Sequence, residues 1–180
     1  MKKIFLTGIT GLVGSAFVVA LLRERQDCEF VCLARKSAVK SARQRTEEII
    51  RDECKFDGCP ELADRILSKV SVIEGDVVDL DPVEMAKNPL LEGVNVVFHC
   101  AADVNLGQDP TGRTFRINYQ GSKNIVELAK LFGVSTDYLL GLDTTATLKV
   151  DGLSEREVSI LTELVACFRG KSEKRIASDV

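Results

Sequence analysis

Apolar and polar positions along the chain fall into short solid runs separated by longer stripes. "KKIFLTG" is an apolar run closed by glycine, and "LVGSAFVVALLRER" follows with helical length and a charged end, which predicts strand, tight turn and helix. "CEFVCLAR" predicts a second buried strand. "SAVKSARQRTEEIIRDECKF" is polar with an apolar stripe, hence a surface helix, and "PELADRILSK" continues with another after a break between Gly58 and Pro60. "VSVIEGD" predicts a third strand, "PVEMAKNPLLEG" a short helical connection, "VNVVFHCAA" a fourth strand, and "GRTFRINYQGSKNIVELAKLFG" a long helix. Strands that alternate with helices and are apolar on both faces belong to a parallel sheet covered on both sides.

Past Gly133 the texture changes. "STDYLLGL" reads as a helical turn or two, "DTTATLKVDG" as a polar connector, and "LSEREVSILTELVACFRGK" as an amphipathic helix. In that last helix Ser154 and Glu157 form a capping box, and Val158, Leu161, Val165 and Phe168 make one apolar stripe. The pattern therefore divides the chain into a domain over 1–133, a helical appendage over 134–172 and a charged, frayed tail over 173–180.

Bulk properties add limits. With 180 residues, 45% of them apolar, the chain can build one well-cored domain and a short appendage. Its 24 basic and 27 acidic residues leave a net charge of −3, which argues against a broad polyanion-binding surface but not against one local phosphate pocket. The N-terminal stretch has the lysines and apolar run of a secretory signal, yet Gly8, Gly11 and Gly14 interrupt it and it ends in "RER". No other stretch is apolar enough to span a bilayer. The six cysteines (Cys28, Cys32, Cys54, Cys59, Cys100, Cys167) lack the spacing of a zinc site and read as reduced thiols, so a cytoplasmic protein without a metal is expected.

The chemistry concentrates at strand ends. "TGITGLVG", Thr7 to Gly14, spaces its glycines as GxxGxxG between a strand and a helix, where the backbone can approach a pyrophosphate and the helix N-terminus offers free N–H groups. Arg35 follows the second strand, where a NAD-specific site would offer a carboxylate to the ribose hydroxyls. A guanidinium there suits a 2′-phosphate, which favours NADP(H) over NAD(H). Arg45 is a second phosphate contact or part of the charged helix face. Asp76 stands just past the third strand, where it could accept from an adenine amino group, and Ala101 and Ala102 are small enough to let a dinucleotide cross the end of the fourth. His99, the one histidine, is expected to pack at the strand end rather than act as a base.

"TGITGLVG", "LARKSAVKSARQR", "VIEGDVVD", "VFHCAADVNL" and "FRINYQGSKNIVELAK" occur in the order and at the spacing of the extended short-chain dehydrogenase/reductase superfamily, and residues 1 to about 130 resemble its thioester reductase and fatty acyl-CoA reductase branch. The resemblance implies an α/β partial Rossmann fold of four parallel strands in the order 3-2-1-4, helices on both faces, and a small helical C-terminal appendage. It also implies a cofactor-contacting set of Thr7, Gly8, Gly11, Leu12, Val13, Gly14, Arg35, Arg45, Asp76, Val77, Ala101, Ala102 and Asn118. Asn118 resembles the asparagine that opens the family's helix beneath the active site.

Reduction in that family needs a Ser or Thr on a fifth strand and a Tyr-xxx-Lys pair, whose lysine lowers the phenol's pKa. Ser135 and Tyr138 stand near the expected place, but Leu142 occupies the lysine position and only Val134 separates "LAKLFG" from "STDY", too little for a strand. Tyr119 and Lys123 have the spacing but lie in the asparagine helix. These four are weak catalytic candidates, and a NADP(H)-binding protein with incomplete catalysis is the expected function, an active oxidoreductase on an acyl thioester or aldehyde the alternative. "LAKLFGVSTDYLLGLD" with the last amphipathic helix resembles the C-terminal part of phage-repressor-like helix-turn-helix regulators. That resemblance implies a regulator acting through a homodimer or protein partner. The helices that would enter DNA are absent, so sequence-specific DNA binding is not expected. An uncovered fourth-strand edge would be an association hazard, which the stripe on the last helix could cover.

Overall fold

The computed structural model describes residues 2–104, 107–133 and 156, and the elements named below fall within one unit, Met1–Leu142. Ser135, Tyr138, Cys167, the stripe of Val158, Leu161, Val165 and Phe168, and the expected appendage and tail lie outside the described residues, apart from Arg156.

Four parallel strands form one sheet: β1 (Lys2–Thr7), β2 (Cys28–Ala34), β3 (Val70–Glu74) and β4 (Val96–His99), in the order β3-β2-β1-β4. The register sets Ile4 beside both Phe30 and Val96, and Phe30 beside Val70. Alternation along each strand sends Ile4, Leu6, Phe30 and Cys32 to one core and Phe5, Val31, Leu33 and Val97 to the other. Both cores are real, which explains why the strands read as solid apolar runs rather than alternating ones.

The first core is closed by α1 (Leu12–Glu24), α2 (Ala42–Phe56) and α3 (Ala63–Leu67). From α1, Val18, Val19 and Leu22 are buried, and the Phe17 ring stacks on Phe98 at 4.3 Å while meeting Phe30 edge-on at 5.9 Å. One aromatic side chain thus ties α1 to β2 and β4 together. The second core is closed by a helical run from Arg113 to Leu131, with the short α4 (Pro82–Ala86) beside it. Ile125, Leu128 and Ala129 bury its inner face, and the two larger aliphatics contribute about 1.5–3 kcal/mol each.

Three boundaries differ from the pattern reading. The helix expected from Ser37 begins at Ala42, because Ser37 to Lys40 form a turn in which Ser37 Oγ accepts from the N–H groups of Val39 and Lys40. Ser41 then caps α2 reciprocally with Gln44. The fourth strand stops at His99, and Cys100 to Ala102 leave the sheet. The long helix is not uniform: α5 (Arg113–Phe115) passes into a π-helical stretch, Arg116–Gly121, and then into α6 (Ser122–Leu131). Among the described residues β4 pairs with β1 alone, so its outer edge has no strand beside it.

Cys28, Cys32, Cys54 and Cys59 are free and buried, Cys100 is half-buried, and burial raises the thiol pKa of Cys32, Cys100 and Cys54, the last to about 11.

One buried polar side chain joins the second core to the loop after β3. Asn124 donates to the carbonyls of Val77 (2.9 Å) and Val78 (3.1 Å) and accepts from Gln120 Nε2 at 2.8 Å. Asn124→Ala removes that donor from two backbone acceptors, and we expect a stability loss of about 1–3 kcal/mol in urea denaturation. An unchanged midpoint would show that water replaces the amide there.

Candidate dinucleotide site

The turn between β1 and α1 is shaped by steric limits that glycine alone meets. Gly8 has φ +85, and a Cβ built on it would stand 2.6 Å from Ala101 N and from Cys100 C, inside the backbone that leaves β4. A Cβ on Gly14 would stand 2.3 Å from Gly8 O, so α1 could not seat against the turn. Gly11 N donates to Gly8 O at 2.9 Å and closes the loop. Gly11 is also the N-cap of α1, with no side-chain cap and no acidic residue in the first turn. The helix start therefore keeps its positive dipole end and its free N–H groups for an anion.

A crevice of about 260 Å³ opens beside this turn, at the carboxyl ends of the strands where open α/β sheets bind ligands. Gly8, Gly11, Arg35, Asp76, Val77, Ala101 and Ala102 all line it, so seven of the residues singled out in the sequence converge. Arg35 Nη1 lies 3.3 Å from Asp76 Oδ2, and Asp76 Oδ1 accepts from Val78 N at 3.0 Å, which fixes the carboxylate at the crevice wall.

The other expected residues are placed differently. Leu12 and Val13 turn their side chains to solvent, 82% and 61% exposed, leaving only their backbone at the helix start. Thr7 is fully buried and does not line the crevice. Its register beside His99 directs Oγ1 to His99 Nδ1 at 2.5 Å. Arg45 Nη1 donates to the carbonyl of Arg35, so it braces the strand exit rather than lining the crevice. Asn118 does not open its helix. It stands inside the π-helical stretch, accepts from Asp103 N at 2.8 Å and donates to Asp103 O at 2.9 Å, which ties down the loop after β4.

Tyr119 and Lys123 face outward. The Tyr119 ring is 59% exposed and stacks on Phe115 at 5.0 Å, and Lys123 Nζ lies 4.0 Å from Glu127. Neither lines the crevice.

Leu33, Asp103, Arg113 and Ile117 also line the crevice and were not singled out from the sequence. Arg113 pairs with Asp103 at 3.3 Å. The two ion pairs, Arg35 with Asp76 and Arg113 with Asp103, are brought together by tertiary structure from segments 41 and 10 residues apart (76 − 35 and 113 − 103). Gly121 was also missed: a Cβ there would stand 2.7 Å from Val77 Cγ2, so the π-helical stretch can press against the crevice wall.

His99 sits behind this surface, bonded on one side to Thr7 and on the other to Ser122 Oγ at 3.1 Å. Burial lowers its pKa below the usual 6.5, as expected of an imidazole packed at the strand end.

The fold and the crevice together define a dinucleotide-binding unit of Rossmann type. The chain belongs to the NAD-binding family described as male sterility protein, whose model matches residues 6–162. That match runs past the boundary at Gly133. Among curated proteins, the chain is 36% identical over 135 residues to a putative fatty acyl-CoA reductase, CG8306, of Drosophila melanogaster, covering 72% of this chain and 25% of the relative. It is 32% identical over 133 residues to fatty acyl-CoA reductase 1 of Gallus gallus, with the same coverage. The chain thus spans about a quarter of the length of these relatives. The fold is shared with a thiolation-reductase di-domain from an archaeal non-ribosomal peptide synthetase, at a TM-score of 0.58 and 24% identity over 72% of this chain and 26% of that one. The chain is therefore a fatty acyl-CoA reductase-like NAD(P)-binding domain. No helix among the described residues is long and apolar enough to cross a membrane.

A half-buried imidazole whose pKa is lowered gives a signed pH dependence. With its folded pKa below the unfolded value, His99 contributes stability that is present above pH 6.5 and is lost as pH falls through the folded pKa. Thermal or urea unfolding followed from neutral to acidic pH should show this loss, at most about 1.4 kcal/mol per pH unit for one proton. His99→Gln should remove that component of the slope; an identical slope in the variant would assign the acid sensitivity to other groups.

Proposed function

We propose that this polypeptide holds NADP(H) across the strand ends, with the pyrophosphate on the glycine turn, and that it does not complete reduction within its own 180 residues. The observation that carries the cofactor assignment is Arg35: a guanidinium lines the crevice wall at the exit of β2, where a NAD site would offer a carboxylate. Its planar fork suits a phosphate monoester, and Arg45 stiffens the backbone that carries it. Gly8, Gly11 and the N–H groups of Leu12, Val13 and Gly14 would take the pyrophosphate, while Asp76 would accept from the adenine amino group. Val77, Ala101 and Ala102 would supply the walls, which fit because their side chains are apolar and small or recessed.

Bound there, the cofactor would supply a hydride to an acyl thioester or aldehyde, the substrate class suggested by the relatives' names. Among the described residues, none lining the crevice supports the proton side of that reaction. Tyr119 and Lys123 point away from it, and Tyr138 is followed four residues later by Leu142 instead of lysine. Cofactor binding without turnover is the behaviour these residues support.

Thermal unfolding with NADPH, with NADH and with neither tests the proposal, using Arg35→Ala alongside. Ligand at a hundredfold over its Kd should add about 2.7 kcal/mol to a competent site. We expect a larger shift with NADPH than with NADH, with the difference abolished by Arg35→Ala, and no NADPH oxidation in the presence of a long-chain aldehyde or acyl thioester. A transition that neither nucleotide moves would sink the cofactor reading, and measurable oxidation would sink the claim of incomplete catalysis.

A further inference from the structure

Arg113 lies at the start of the long helix, yet it lines both the main crevice and an adjoining depression of about 210 Å³ that also contains Arg35, Asp76 and Ile117. Its backbone is fixed from below: Arg113 N and Phe115 N donate to the two carboxylate oxygens of Asp109 at 2.8 and 3.1 Å. Its side chain is fixed from the β4 side, because Asp103 holds the guanidinium and Asn118 holds the backbone of Asp103 in both directions. A long exposed arginine is thereby tethered at the crevice wall.

The charge pattern says what this wall can hold. Arg35 is balanced by Asp76 and Arg113 by Asp103, so the crevice between them carries two positive and two negative groups, to which the adjoining depression adds Arg116 and Asp79. A dianion placed beside Arg113 would also meet the Asp103 carboxylate, as the ribose phosphate at Arg35 meets Asp76, so charge alone does not separate the two arginines. A neutral, planar, electron-rich ring with an exocyclic amino group meets no such penalty. It finds apolar surface on Val77 and Ile117, an acceptor in Asp76, and a guanidinium plane on which to stack.

We propose that Arg113 is the outer wall of the nucleobase slot and binds the adenine of the dinucleotide by stacking, positioned by the Asn118 and Asp103 relay. This rests on the cofactor reading and extends it: Arg35 discriminates the ribose phosphate, whereas Arg113 recognises the base and is indifferent to that phosphate. The two arginines thus have separable signatures.

The test is equilibrium binding of NADPH, NADH and ADP to the full chain and to Arg113→Ala and Arg113→Lys, with the ligand-free unfolding midpoint of each variant measured as a check on folding. Arg113→Ala should weaken all three ligands by a common factor of about three to thirty. Arg113→Lys, which keeps the charge but loses the planar surface, should recover little of it. Loss confined to NADPH would overturn the assignment in favour of a phosphate contact, full recovery by lysine would overturn stacking, and unchanged affinity for every ligand would overturn any role in binding. If the unaltered chain binds neither NADPH nor NADH, the cofactor reading falls and this one with it; if it binds and the variants bind equally well, only the role of Arg113 falls.

Discussion

The backbone of Gly8 lies so near the chain leaving β4 that no side chain fits between them. A single added methyl at Gly8 would reach within 2.6 Å of Ala101 N, and one at Gly14 would reach within 2.3 Å of Gly8 O. Three segments, the exit of β1, the start of α1 and the exit of β4, therefore meet without side chains between them. The position of the crevice follows from this junction. The exposed start of α1 stands beside Gly11, the exit of β4 supplies Ala101 and Ala102, and the parallel register that sets Thr7 beside His99 ends both strands at the same level. The same register buries Thr7 and diverts its hydroxyl to His99, which is why a residue of the phosphate-binding motif forms part of the core.

A second constraint comes from the long helix. Its outer half must present Ile117 and Arg113 to the crevice while its inner half packs Ile125 and Leu128 against the sheet. The π-helical turn separates these two demands, since a wider turn shifts the phase of the side chains after it. Gly121, at the end of that stretch, lets the backbone reach Val77, and Asn124, one turn further, binds the carbonyls of Val77 and Val78. The loop that carries Asp76 is thus held by the helix that also carries Arg113.

What could be read from the sequence and what could not divide along one physical line. Strand number and the glycine turn were legible because local pattern encodes them, as apolar runs bounded by turn residues and glycines at positions where only glycine fits, whereas strand order followed from the family resemblance. Arg35 and Asp76 were legible because each directly follows a strand end, so placing the strand places the residue. Arg113, Asp103 and Ile117 were not, since their presence at the crevice depends on the Asn118 hydrogen bonds and on a π-helical turn that hydrophobic periodicity does not resolve. Arg45 shows the same limit in reverse. It is the right residue at the right distance, but its guanidinium serves a backbone carbonyl.

Binding and turnover make different demands on such a fold, and the described residues meet them unequally. Every described residue lining the crevice lies between Gly8 and Ile117, so the crevice is assembled by the ends of four strands, the turn after β1 and the first turns of one helix. Proton transfer during reduction requires instead a phenol aimed at the carbonyl oxygen with a cation beside it, and the tyrosine and lysine with that spacing, Tyr119 and Lys123, lie on the solvent face of the same helix. Rotating them inward would turn Ile125 and Leu128 out of the second core, since residues on one helix keep a fixed angular relation. The packing that supports the crevice is therefore the packing that keeps Tyr119 and Lys123 on the solvent face.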